Sequence, residues 1–180
     1  MQPLIYCVDL DRTLISQDST RELLKVAGRR NPRIVWKLVG SIYRNQWNTF
    51  KSTLATIENL NSVEWKVRPN VESDLLKARE NGVPIYLVTA SQTEVADYFY
   101  EKYNYFEGFV SSNRNNKVKG ASKLKEMESL FGVGQFEYLG DSIHDLHIWK
   151  RLGNAKVPSQ KRMLIRYLQL FYRNIKVQII

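Results

Sequence analysis

A chain of 180 residues, 43% hydrophobic and 25% charged, is long enough for one domain with a modest insert and can bury a proper core. Its single cysteine, Cys7, excludes an internal disulfide and, inside an apolar run, reads as a core thiol in a reducing compartment. Asp9 and Asp11 interrupt the N-terminal run before it can serve as a signal h-region, and no stretch reaches the ~18 apolar residues of a membrane span, so a cytoplasmic protein is expected.

The formal charge of +9 is uneven. Glu22 to Glu58 brackets seven basic residues and no acid, and eight more follow Asp145 without an acid. Such blocks favour an anionic partner, against the plainer reading of a solvated basic surface.

Residues 4–9, L-I-Y-C-V-D, read as a buried strand ending in charge. Ser19 with Glu22 forms a capping-box pattern, so a helix is predicted from about Thr20. Helical spacing then runs to about residue 65, broken at Asn31-Pro32, with Ile34, Val35, Leu38, Val39 and Ile42 on one face. This stretch is too long for a simple crossover and reads as a small helical insert. Pro69 opens a helix whose Leu75, Leu76 and Ala78 are expected to face inward, and Asn81-Gly82 closes it.

Pro84–Thr89 reads as a second buried strand, 92–103 as a helix and Gly108–Ser112 as a shorter strand. A helix over 123–131, a strand over 136–140, a short helix from about Asp145 and a last short strand at 155–157 complete the alternation. The tail, 161–180, is helical at first, with Arg166, Gln169 and Arg173 on a narrow polar stripe. Strands alternating with helices imply an α/β fold with a mostly parallel sheet. The predicted organisation is a Rossmann-like three-layer core over 1–16 and 68–160, an insert over 17–67 and an amphipathic basic extension over 161–180.

In open parallel sheets, ligands gather beyond the carboxyl ends of the strands. Three predicted strands end there in chemistry: Asp9 and Asp11, then Thr89-Ala90-Ser91, then Gly140-Asp141 with Asp145 four residues on. Four carboxylates in one crevice repel one another unless a cation is present, and an all-oxygen set suits Mg²⁺. Lys119, ahead of a helix, is the expected basic residue beside them, with Lys117 and Lys123 as competitors. His144 and His147 read as solvent-facing, and Ser91 and Ser142 as either local caps or ligands.

The set D-L-D-R-T, L-V-T-A-S, K-G and G-D-S-I-H-D, in that order over about 4–158, resembles the haloacid dehalogenase superfamily of phosphatases, with the insert where that superfamily carries its type-1 cap. D-L-D-R-T-L-I with Asp18, V-K-G-A-S-K-L and Y-L-G-D-S-I-H-D-L-H-I-W are similar, more narrowly, to phosphoserine-phosphatase-like domains found alone or fused to membrane prenyltransferases of the decaprenyl-phosphate phosphoribosyl type. The resemblance implies Asp9 as nucleophile and Asp11 as general acid and base. It implies Mg²⁺ held by Asp9, the Asp11 carbonyl and Asp141, with Asp145 in support. Thr89, the Ala90 N–H and Lys119 would bind phosphate, and Thr13 would be structural. Asp18 is either a helix-terminus acid or a substrate contact.

Arg12 departs from the pattern, which usually has a small residue there. It either restricts the turn or reaches a substrate anion or a cap carboxylate, and a structural or charge-balancing role is the expectation taken forward. The insert interleaves Arg29, Arg30, Arg33, Lys37, Arg44 and Lys51 with Trp36, Tyr43, Trp47 and Phe50. That composition fits an anionic membrane surface, nucleic acid less well, or a helix pair with a solvated basic face. The expected substrate is a small-molecule or lipid-linked phosphate, and the competing reading is a weakly or non-catalytic domain with a regulatory or membrane-associated binding role. A peripheral position at the inner membrane face, through cap and tail, is the corresponding expectation for place.

Overall fold

The structure is a computed structural model describing residues 4–30, 33, 51, 54–113 and 117–180. The expected break at Asn31-Pro32, the face Ile34–Ile42 and the aromatic residues Trp36, Tyr43, Trp47 and Phe50 lie outside the described residues, as do Lys37 and Arg44.

β1 (Ile5–Val8) is flanked by β2 (Ile85–Gln92) and β4 (Phe136–Leu139). With β3 (Gly108–Ser112), β5 (Asn154–Val157) and β6 (Lys176–Ile179) they form one six-stranded sheet in the order β3-β2-β1-β4-β5-β6. Every pairing is parallel. The order reverses between β1 and β4, so the switch point, where such sheets bind ligands, lies beyond Val8 and Leu139.

Side-chain alternation sorts the strands into two cores. Tyr6, Val8, Ile85, Leu87 and Leu139 face one layer, while Cys7, Val88, Phe136 and Tyr138 face the other. The first layer takes α1 (Ser19–Arg30), α2 (Ile57–Asn61), α3 (Pro69–Glu80) and α4 (Thr93–Lys102), through Leu23, Leu60, Leu75 and Phe99 among others. The second takes α5 (Ala121–Phe131), α6 (Leu146–Leu152) and α7 (Arg162–Phe171), through Met127, Trp149, Ile165 and Leu168. This is the predicted three-layer α/β sandwich.

Three expectations change. Val71 and Leu75, one turn apart, form the buried face of α3, while Leu76, about 100° further round, is exposed. The helix after the first strand is capped by Asp18, whose Oδ1 accepts the Arg21 N–H at 3.1 Å; Ser19 is buried and turned toward β2. The tail 161–180 is no extension. Ile165, Leu168 and Ile175 are buried, and β6 adds to β5 as the sheet's edge strand.

The insert leaves and rejoins the core at a short neck. Ser16 N–H donates to the Lys66 carbonyl at 2.9 Å, Arg68 N–H to that of Leu14 at 2.8 Å, and Ile15 bridges Val67 antiparallel. The neck sits directly after the first acidic pair.

Candidate active site

A cleft of about 310 Å³ opens at the switch point, lined from β1's turn by Asp9, Asp11 and Arg12 and from β4's turn by Asp141, Ser142, His144 and Asp145. Asp18, Ala90, Lys119, Gly120 and Lys123 complete it. Of the residues expected from sequence, Thr13 and Thr89 lie behind this wall, both fully buried. Thr89 Oγ1 accepts the Ser91 N–H at 3.1 Å, and the Thr13 hydroxyl finds no partner among the described residues.

The turn after β1 is built by hydrogen bonds that span five residues, from Leu14 N–H to the Asp9 carbonyl and from Ile15 N–H to that of Leu10, both at 3.1 Å. Asp11 is extended (φ −67°, ψ 125°) and Arg12 left-handed (φ 58°), so both carboxylates reach the same cleft. Asp11 Oδ1 accepts the Ser19 N–H at 2.6 Å, and Oδ2 accepts the Ser91 hydroxyl at 2.5 Å. Ser19 and Ser91 are themselves linked, Oγ to Oγ, at 2.9 Å. Burial raises the Asp11 pKa, and these donors pull it part of the way back.

The lysine that meets Asp9 is Lys123, not Lys119. Its ammonium donates to Asp9 Oδ1 at 2.9 Å, the Val88 carbonyl at 3.2 Å and the Tyr138 hydroxyl at 2.7 Å, so all three protons are used. Lys123 stands in the first turn of α5, whose packing on the sheet carries the stem through the core to the strand end. Lys119 precedes the helix and is exposed; its backbone is engaged with Ser122, the N–H donating to Ser122 Oγ at 3.0 Å and the carbonyl accepting the Ser122 N–H at 3.3 Å. Tyr138 relays onward to Asp145 Oδ1 at 3.0 Å. Sequence reasoning missed Tyr138, although its place two residues before Gly140 on an alternating strand put it on the Lys123 side.

G-D-S-I-H-D folds as a capping box. Ser142 Oγ accepts the His144 N–H, and Asp145 Oδ2 accepts the Ser142 N–H at 3.2 Å. Ser142 is thus the local cap, and His144 and His147 are exposed as expected. Gly140 is a steric requirement: a Cβ there would lie 2.6 Å from the Tyr138 ring and 2.7 Å from Asp145 Oδ2. Gly140→Ala is therefore expected to cost about 1–3 kcal/mol by overpacking, read as a lower midpoint in urea unfolding. An unchanged midpoint would show that the turn relaxes freely.

Asp9, Asp141 and Asp145 each present an oxygen within 4.8 Å of the others. Lys161, from the turn before α7, donates to Asp141 Oδ2 at 2.6 Å, another contact the sequence did not announce. Burial, with Asp145 and Asp141 nearby, pushes Asp9 up to about 7 against the pull of Lys123. Asp145 is raised by burial too. Desolvation works against charge on Lys123, but Asp9 and Asp145 more than compensate, and its pKa is raised.

No family model matches the chain. It is 31% identical over 153 residues to y4nM, an uncharacterised protein of Sinorhizobium fredii, covering 85% of the chain but only 29% of that protein's length. A protein of unknown function from Bordetella pertussis superposes with a TM-score of 0.71 at 13% identity, covering 96% of each chain. A HAD-family hydrolase from Salmonella enterica serovar Typhi superposes at 0.66 and 13% identity, over 93% of this chain and 67% of that one. A phosphoserine phosphatase captured as a phospho-aspartyl intermediate analogue gives 0.62 at 13% identity, over 99% and 94%.

The chain has the haloacid dehalogenase fold.

In haloacid dehalogenase terms, the described site joins the first-strand turn, the end of β2, the first turn of α5 and the β4 turn. The neck to the insert stands at its edge. Among the described residues no helix is long and apolar enough to cross a membrane.

Proposed function

We propose that the protein is a Mg²⁺-dependent phosphomonoesterase working through an aspartyl-phosphate on Asp9. The observation that carries this reading is the convergence in one cleft of the Asp9–Asp141–Asp145 oxygens, the Lys123 ammonium on Asp9 and the separately anchored Asp11. Likeness in fold to phosphoserine phosphatases supports it.

Lys123 occupies Asp9 Oδ1, and no described residue hydrogen-bonds Oδ2, which leaves that oxygen for phosphorus. Attack forms the Asp9–phosphorus bond and breaks the ester P–O bond, and Asp11 protonates the departing alkoxide. Asp11 then takes a proton from water, whose oxygen attacks phosphorus, releases inorganic phosphate and restores Asp9. A carboxyl raised by burial yet held by two hydroxyl and amide donors suits this exchange of roles. Bound Mg²⁺ would supply charge neutralisation and polarisation of the phosphoryl oxygens, held by Asp9, Asp141 and Asp145, with the Asp11 carbonyl implied by the family pattern. The oxygen-only donor set of the three carboxylates fits that ion. Ala90 and the exposed Lys119, both on the cleft wall, are the phosphate-side residues of the proposal, with Thr89 acting through Ser91.

The substrate is a small-molecule or lipid-linked phosphate. Support for the lipid-linked form and a membrane-peripheral position comes from the exposed Met163, Leu170 and Phe171 of α7 beside Arg162 and Arg166. Phosphate release should be measured from a panel holding phosphoserine, a sugar phosphate and a polyprenyl phosphate in vesicles. Turnover is expected with Mg²⁺ and lost on chelation. Since a proton and a cation compete for an Asp9 carboxylate pushed up to about 7, Mg²⁺ affinity by calorimetry should weaken below that pH and level off above it. Metal-independent turnover would contradict the mechanism; no turnover of any ester would favour the non-catalytic binding domain.

A further inference from the structure

Among the described residues Arg12 is the one non-glycine with positive φ, at 58°. The surrounding turn enforces this: its N–H donates to the Gln17 carbonyl at 2.9 Å, and its own carbonyl accepts from Arg68 Nη2 at 3.3 Å. Glycine would adopt this backbone freely and a long side chain is disfavoured in it. A residue kept in such a conformation beside a reactive centre invites a functional reading of its side chain.

That side chain lies on the cleft wall with Asp9 and Asp11, more than half exposed, and Nη2 reaches Asp18 Oδ2 at 3.1 Å. Asp18 is in turn fixed by its cap bond to Arg21 N–H. The guanidinium is thus tethered at the lip through one nitrogen, with the rest of its donor fork open to solvent. Lys119 lines the same cleft, exposed and without an ion pair among the described residues.

Lys123 is fully spent on Asp9, Val88 and Tyr138, and Lys161 is held by Asp141. With Lys119 given to the phosphoryl group, Arg12 is a cation on the cleft wall beyond what that group at Asp9 requires. We infer that Arg12 forms a second anion subsite at the lip. The substrate of the reaction proposed above is then a phosphomonoester carrying a further carboxylate or phosphoryl group, and the inference rests on that reading. The planar guanidinium fork matches either anion in a bidentate pair, and Asp18 is the counter-ion it leaves on binding.

The test compares three probes of similar size: 3-phosphoglycerate, propanediol bisphosphate and glycerol 1-phosphate, which lacks the second anion. Each is measured as kcat/KM on the wild-type protein and as an equilibrium constant by calorimetry on Asp9→Asn protein with Mg²⁺, each with and without Arg12→Gly. The protein with Arg12 should prefer one or both doubly anionic probes by about tenfold or more, Arg12→Gly should abolish the preference, and Arg12→Lys should restore part of it. Which probe is preferred tells carboxylate from phosphoryl. Arg12→Gly relieves the backbone and should melt no lower, so loss of folding does not confuse the result. The binding ratio decides: equal ratios with and without Arg12 would overturn the subsite. Absence of turnover with the ratio intact would instead overturn the phosphatase reading.

Discussion

Lys123→Met is expected to destabilise the metal-free protein by about 3–5 kcal/mol, because it leaves Asp9 and Asp145 buried without their shared cation. Methionine fills much of the same volume, so the loss reports on charge more than on packing. Tyr138 would lose its donor partner at the same time while still bonded to Asp145. Lys119→Met, at an exposed position, should move stability by less than about 0.5 kcal/mol. Urea unfolding of the two variants checks the difference, and phosphate release should fall roughly 10²–10³-fold for Lys123→Met. Equal effects of the two substitutions would contradict the assignment of Lys123 to Asp9.

Asp9→Asn should lower turnover by about 10⁴-fold or more, since the attacking oxygen is replaced while the shape is kept. Asp11→Asn should cost about 10²–10⁴-fold, the usual range for a lost acid–base group. The fold should survive both. The side-chain amide carbonyl that Asp11→Asn introduces can still accept the Ser19 N–H, and the one that Asp9→Asn introduces can still accept the Lys123 ammonium. If instead Asp11→Asn equalled Asp9→Asn in effect and unfolded the chain, the Ser19–Ser91–Asp11 network would be structural before it was chemical. Circular dichroism on each variant separates the two cases.

Much of this architecture is visible in local pattern. The apolar run before Asp9, the recurrence of apolar strands and helical segments, and acidic or hydroxyl residues at three strand ends placed a parallel sheet with a site at its carboxyl edge. These signals are local, and burial on both faces of the sheet makes them strong. What stayed hidden depends on three-dimensional reach. Lys119 lies before α5 and Lys123 in its first turn, and only the packing of that helix on the sheet sends the second stem to Asp9. Lys161 meets Asp141 across twenty residues of chain, a contact no spacing rule reveals. β6 escaped notice because K-V-Q-I is an exposed edge strand with one half-buried side chain and no continuous apolar run. Asp18 and Ser19 are both good cap residues, and the choice between them was made by Ser91, seventy-two residues on.

The account stands on Asp9 as the group that carries the phosphoryl. Rapid acid quench of the wild-type protein with Mg²⁺ and a turned-over ester, followed by proteolysis and mass spectrometry, tests this most directly. The expected result is one added phosphoryl group on the peptide containing Asp9, absent from Asp9→Asn protein. Turnover with the phosphoryl found on another residue, or persisting undiminished in Asp9→Asn protein, would contradict it.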